Sequence, residues 1–205
     1  MKKLNQKFIY FICLVSAMGG LLFGYDWVVI GGAKPFYELF FGISDSPVMQ
    51  GIAMSTALVG CLIGAMVAGA MADKYGRKPL LIGAAVLFTV SAVATGAFDD
   101  FTLFNIARFI GGVGIGIASA LSPMYIAEVA TTEERGRLVS PNQMTNVLGI
   151  LGAQIANWQI ADPLPEAISA MQVSGIAVQE AMADAFILES WNGQMGWRWM
   201  FWAEA

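Results

Sequence analysis

Long apolar runs separated by short polar segments dominate the pattern of this 205-residue chain. A helix needs about 20 mostly apolar residues to cross a bilayer. The pattern predicts membrane spans at about 8–30, 48–72, 80–98, 102–130 and 138–161, and a sixth span over 197–205 that is incomplete. We therefore expect an all-α membrane protein.

The polar segments between these runs predict the connections. A turn-rich segment over 31–47 separates the first two spans, and a charged hairpin over 73–79 separates the second from the third. The longest polar segment, 162–196, precedes the sixth span and is predicted to be an outer loop. Within it, apolar residues recur near helical spacing over 165–189, which predicts an amphipathic helix on the outer surface. A poorly ordered insertion is the alternative.

Composition supports the membrane interpretation and excludes several kinds of chemistry. Hydrophobic residues make up 57% of the chain and charged residues 13%, whereas soluble domains carry about 25% charged residues. The chain has no histidine, which excludes imidazole metal sites and Ser-His-Asp catalysis. The two cysteines, Cys13 and Cys61, lie in apolar runs and are interpreted as small buried residues. We expect no enzyme activity, no metal or cofactor and no binding of nucleic acid.

The distribution of charge around the spans predicts the orientation. Most lysines and arginines lie in the segments that are cytoplasmic if the N-terminus is inside, and most acids lie in the opposite segments. The positive-inside rule therefore predicts a cytoplasmic N-terminus.

Charged residues inside the spans are the main candidates for function. Asp26, Arg108 and Glu128 lie within predicted spans, and Glu204 begins a fourth case. Asp26 and Arg108 are both roughly 8 to 9 Å from the outer ends of the first and fourth predicted spans, at 1.5 Å per residue. Two opposite charges at matching depth predict an ion pair, because their attraction offsets part of the desolvation cost. Protonation of Asp26 could switch this pair; a static pair that only joins two helices is the alternative.

The glycines predict close packing between helices. Gly60 and Gly64 form a G-x-x-x-G pattern, and a Gly-Gly-x-x-x-Gly spacing occurs over 19–24 and again over 111–116. A dinucleotide-binding loop needs a preceding strand, which a spanning helix does not provide. The recurrence in the first and fourth spans is consistent with inverted three-helix repeats.

Several motifs carry a family resemblance. The hairpin Gly69-Ala70-Met71-Ala72-Asp73-Lys74-Tyr75-Gly76-Arg77-Lys78 resembles the loop signature of the major facilitator superfamily. Gly24-Tyr25-Asp26, Ser122-Pro123-Met124-Tyr125-Ile126-Ala127-Glu128, Asn142-Gln143 and Gly196-Trp197-Arg198-Trp199-Met200-Phe201 resemble its sugar porter family, and within that family the bacterial D-xylose/proton symporters. The resemblance implies the N-terminal six-helix half, a 3+3 inverted repeat, of a twelve-helix fold.

The resemblance also implies roles at the centre of the membrane. Asp26 matches the proton-coupling aspartate of these symporters, and Arg108 matches its arginine partner. Phe23 matches an aromatic residue near the sugar. Gln143 matches a glutamine that binds sugar hydroxyls, a task that suits an amide because it both donates and accepts hydrogen bonds.

A second group of residues is implied at the cytoplasmic side. Asp73, Arg77, Glu128 and Arg135 match a charge network that holds one of the alternating states. Ile150 stands where the xylose symporters carry a second sugar-binding glutamine, so glucose or another monosaccharide is an alternative substrate to xylose.

Together these features imply transport of a monosaccharide across the bacterial inner membrane by alternating access, coupled to protons as symport. The expected partners are the sugar, protons, the lipid bilayer and the C-terminal half of the same protein. A sugar uniporter and a non-transporting sugar sensor with the same fold are the alternatives. A drug–proton antiporter is disfavoured because Gly149-Ile150-Leu151-Gly152 lacks the proline that such proteins carry. As a fragment, the chain is expected to be inactive alone.

Overall fold

A computed structural model describes residues 6–130, 132–161 and 180–205. The elements in order are α1 (Gln6–Phe40), α2 (Pro47–Tyr75), α3 (Arg77–Ala97), α4 (Phe101–Val129), α5 (Arg135–Ala161), α6 (Glu180–Glu189), a π-helical turn (Asn192–Gly196) and α7 (Trp197–Trp202). Across these described ranges every regular element is helical, which confirms the all-α prediction.

The first helix is longer than predicted. A span over 8–30 followed by a turn-rich segment was expected, but α1 continues without interruption to Phe40 and contains Pro35. Phe36 and Tyr37 are almost fully buried in the main hydrophobic core, so burial of this last stretch outweighs the local signals of glycine and proline. The connection to α2 is therefore the short segment 41–46.

Among the described residues, four helices are long and apolar enough to cross a membrane: α1 from Tyr10 onward, α2, α3 and α4. Helix α5 has sufficient length, but it carries polar residues such as Asn142, Asn146 and Asn157 along its course. Helix α7 has six residues. The predicted fifth and sixth spans remain predictions.

Glycines allow two pairs of helices to approach backbone to backbone. A Cβ at Gly112 on α4 would collide with the carbonyl oxygen of Ala57 on α2, and a Cβ at Gly24 on α1 would collide with that of Asn146 on α5. The packing interpretation of the glycines is thus confirmed. Since α1 corresponds to α4 and α5 to α2 in an inverted three-helix repeat, the two close pairs are equivalent.

An aromatic core closes one end of the bundle. Phe104, at the start of α4, lies between Tyr37 of α1 and Trp197 and Phe201 of α7, with ring centroids 5.6 to 6.1 Å apart. All four side chains are nearly inaccessible to solvent. This core holds together the end of α1, the start of α4 and α7.

Two predicted connections have different outcomes. The hairpin between α2 and α3 is reduced to Gly76, whose φ of 87° is a conformation that favours glycine. The structure describes only part of the predicted outer loop over 162–196. Helix α6 lies in the described part, and residues 162–179 fall outside the described residues. The predicted amphipathic helix over 165–189 remains a prediction.

Candidate functional site

A buried ion pair joins α1 and α4. Nη1 and Nη2 of Arg108 donate to the two carboxylate oxygens of Asp26, with Nη2 and Oδ2 3.3 Å apart. Asp26 is 7% exposed and Arg108 is 5% exposed. The two-point geometry matches the planar guanidinium to the carboxylate, which gives the pair a fixed orientation. The structure therefore brings together the two charges that the sequence predicted to pair.

The depth argument behind that prediction was wrong in one respect. Asp26 lies fourteen residues before the end of α1 at Phe40, or about 21 Å, because α1 does not end at Gly31. Arg108 lies seven residues after the start of α4, or about 10 Å. The two charges meet because α1 extends past the beginning of α4, so the ends of the two helices are not level.

A second carboxylate lies beside the pair. Glu204, just after α7, is 7% exposed, and its Oε1 has no hydrogen-bond partner among the described residues. It interacts electrostatically with both Asp26 and Arg108. The guanidinium of Arg108 also lies over the ring of Phe201, 5.3 Å from its centroid. Sequence reasoning noted Glu204 only as a charge in an apolar run; its position at the pair depends on how α7 packs.

This arrangement has a simple chemical consequence. Two carboxylates, those of Asp26 and Glu204, are buried near one guanidinium. One cation balances one of the two negative charges, so the site carries an excess negative charge unless it also holds a proton. Binding of one proton by either carboxylate would remove this excess charge.

The predicted sugar-contacting residues lie on α1 and α5, which pack closely at the level of Gly20 and Gly24. Phe23, one turn before Asp26 on α1, lines a cleft between α1 and α2 that Arg108 also lines. Gln143 is exposed on α5 and is not among the residues that line this cleft. Their assignment to sugar binding remains a prediction.

The predicted charge network forms in part at the opposite end of the bundle. Arg77, which begins α3, contacts Glu128 at the end of α4 with Nη2 and Oε1 2.9 Å apart, and Asp73 on α2 at 3.3 Å. Its Nη1 also donates to the carbonyl oxygen of Ala72. Arg135 is exposed at the start of α5 and forms no ion pair with any described residue. Its predicted place in the network is therefore not observed.

A bundle of apolar helices around a buried ion pair is the kind of structure that helical membrane transporters have. The model of the family "Sugar (and other) transporter" matches residues 12–205. The chain belongs to this family.

Individual proteins of known function show the same relationship. The chain is 40% identical over 203 residues to the glucose transport protein of Synechocystis sp., covering 98% of this chain and 38% of that protein. It is 37% identical over 224 residues to the D-xylose-proton symporter of Escherichia coli, covering 98% and 41%.

A solved structure agrees with the fold. The proton:xylose symporter XylE bound to 6-bromo-6-deoxy-D-glucose superposes with a TM-score of 0.79 at 34% sequence identity, covering 98% of this chain and 42% of that one. The match confirms the prediction of the N-terminal half of a major facilitator fold. The chain spans about two-fifths of the length of the relatives it matches.

Proposed function

We propose that this chain is the N-terminal half of a transporter that moves a monosaccharide together with a proton across the bacterial inner membrane. The substrate is xylose, glucose or a similar sugar, bound between this half and the C-terminal half during alternating access. The observation that carries the proposal is the buried Asp26–Arg108 pair with Glu204 beside it.

The pair supports coupling because its charge state and its geometry depend on each other. When Asp26 is ionised it holds Arg108, and α1 is tied to α4. When Asp26 takes up a proton, the attraction weakens and Glu204 becomes the remaining anionic acceptor. Sugar binding that favours one of these arrangements would make proton uptake and sugar uptake depend on each other.

The relatives support the choice of substrate and of coupling. The named relatives include a glucose transport protein and a D-xylose-proton symporter. In this chain Phe23 would provide an aromatic surface for the sugar, and Gln143 would hydrogen-bond its hydroxyl groups. The charged contact between Arg77 and Glu128 would stabilise one of the alternating states at the cytoplasmic side.

The orientation follows from the distribution of charge. The end of α2 and the start of α3 carry Lys74, Arg77 and Lys78, which supports a cytoplasmic position for this end of the bundle. The N-terminus then lies on the same side, and the aromatic core around Phe104 lies near the outer side.

The test is Asp26→Asn in the full-length transporter, assayed as sugar accumulation in vesicles under a pH gradient. A gradient of one pH unit supplies about 1.4 kcal/mol per proton, which supports about tenfold accumulation for one proton per sugar. We expect the variant to lose this accumulation and to retain sugar exchange without a gradient. Asp45→Asn, at an exposed position in the segment between α1 and α2, is the matched control and should accumulate sugar normally.

Unchanged accumulation in Asp26→Asn would contradict proton coupling through this residue and would favour a uniporter. A separate experiment tests the dependence on the other half. Vesicles that contain only the 205-residue chain should take up no sugar above the background of empty vesicles, and uptake by this chain alone would contradict binding between two halves.

A further inference from the structure

A cleft separates α1 from α2. Both helices pack on α4, but they scarcely touch each other, so part of α4 is left uncovered between them. The resulting cavity has a volume of about 250 Å³. Its floor includes Arg108 and Ile115 of α4, and Asp26 lies in its α1 wall. The cleft therefore reaches the ion pair directly.

The order of its lining residues gives the cleft a direction. Helix α1 runs towards the segment 41–46 and α2 runs away from it. Ile30 and Gly51 therefore lie at the end near this segment, whereas Phe23 and Cys61 lie at the far end. Asp26 and Cys61 each lie fourteen residues from this segment along their helices, so a molecule that enters beside it reaches both at about the same depth.

Arg108, which lines the cleft, also carries a polar group that lacks a partner within the described part of the chain. Nε of Arg108 is buried and has no hydrogen-bond acceptor among the described residues. A buried donor of this kind is normally satisfied by ordered water when the cavity is large enough to hold it. This cavity has room for several water molecules, and charged residues within membrane spans face water or protein rather than lipid.

Trp27 is placed to control the opening. It follows Asp26 directly, lines the cleft and is 55% exposed, so its indole is held by few neighbours. The groups that face Asp26 are Arg108 from α4, Glu204 from the chain after α7 and Cys61 from α2. The side chain of Trp27 is uncharged. It therefore acts on Asp26 only sterically, by limiting access through the cleft.

We propose that the α1–α2 cleft is the passage through which water, and with it the coupled proton, reaches Asp26, and that Trp27 restricts this passage. The proton's use of the passage rests on the function proposed above; the passage itself does not. Trp27 is a positioning residue in this proposal, since it acts on access to Asp26 and not on the proton directly.

The experiment uses Cys61 as a reporter in the 205-residue chain, reconstituted in lipid nanodiscs. Cys13 is 3% exposed and is replaced by alanine to leave one thiol. A charged, membrane-impermeant methanethiosulfonate reagent reaches Cys61 only through water. We expect Cys61 to be modified, and Trp27→Ala to raise the rate about tenfold, equivalent to about 1.4 kcal/mol of opening free energy. Trp27→Phe should give a smaller increase.

A matched control is Trp158→Ala on α5, a tryptophan that is 63% exposed and lies outside the cleft. It should leave the rate unchanged. Far-UV circular dichroism checks that each variant keeps its helical content, and if Trp27→Ala loses helix, Trp27→Phe carries the comparison. A Cys61 that resists the reagent in both Trp27 variants would overturn the passage. An equal acceleration in Trp158→Ala would overturn the role of Trp27.

The labelling result is independent of transport. If Cys61 behaves as expected but Asp26→Asn still accumulates sugar under a pH gradient, the passage stands and proton coupling through Asp26 fails. If Asp26→Asn loses accumulation but Cys61 is unreactive, proton coupling stands and the route through this cleft is wrong.

Discussion

The two carboxylates around Arg108 predict an unusual pattern of stability changes. Removal of one partner from a buried ion pair ordinarily costs about 3–5 kcal/mol, because an unpaired charge stays buried. In this chain Glu204 is buried near the pair, and we expect it to take over the guanidinium when Asp26 is neutral. We therefore expect Asp26→Asn to cost only about 1–2 kcal/mol, whereas Asp26→Asn combined with Glu204→Gln should cost about 3–5 kcal/mol.

Glu204→Gln alone should have the opposite sign or little effect, because it removes the excess negative charge while the Asp26–Arg108 pair remains intact. These three values form a double-mutant cycle in which the two substitutions are strongly non-additive. The free energy of unfolding can be measured on the 205-residue chain in mixed micelles, with sodium dodecyl sulfate as denaturant and helical content as the signal. Asp45→Asn, at an exposed site, should stay within about 0.5 kcal/mol of the unmodified chain.

Two results would refute the reasoning. If the double variant is no less stable than Asp26→Asn, Glu204 does not share Arg108. If Asp26→Asn is as stable as Asp45→Asn while Glu204→Gln is also neutral, the pair is hydrated and its charges contribute little. Either result would remove the structural basis for a site with two carboxylates and one shared cation.

Two further predictions concern the packing around the site. Gly112→Ala should destabilise the chain by about 1–3 kcal/mol, because the added Cβ would collide with the backbone of Ala57. Gly69→Ala is the control: its Cβ meets open space, and the substitution should stabilise the chain by about 0.5–1 kcal/mol in the same assay. Equal effects of the two substitutions would argue against close contact of α2 and α4. Arg198 donates to the carbonyl oxygen of Gly96 and contacts Asp99, so Arg198→Lys should cost about 1–3 kcal/mol because an ammonium cannot reproduce both contacts. A thermal-unfolding midpoint unchanged by Arg198→Lys would contradict the second prediction.

The ion pair could be predicted because charge in a membrane span is so costly that few placements are tolerated. Asp26 and Arg108 are charged residues within the first and fourth predicted spans. Pairing them was the arrangement with the lowest desolvation cost. The contact of Arg77 with Glu128 and Asp73 was predicted on a different basis, from the resemblance of the hairpin to a known motif. The same resemblance implied that Arg135 joins this charge network, but Arg135 is exposed. A sequence motif does not show which of two cations binds a given carboxylate.

The end of α1 could not be predicted from local signals. Gly31, Gly32 and Pro35 favour a turn, and only the burial of Phe36 and Tyr37 against distant helices keeps this stretch helical. The α1–α2 cleft also could not be predicted from the sequence. It forms because α1 and α2 both pack on α4 but make little contact with each other. Periodicity reports which face of a helix is apolar, but it does not report which neighbour covers that face.

The single glycine between α2 and α3 has a mechanical consequence. A longer loop would let the two helices tilt separately, but Gly76 leaves no slack between Tyr75 and Arg77. The guanidinium of Arg77 then fastens this corner to the last turn of α4. We therefore expect these three helix ends to move together in any rocking of the bundle, so that a displacement of this corner also displaces α4, the helix that bears Arg108.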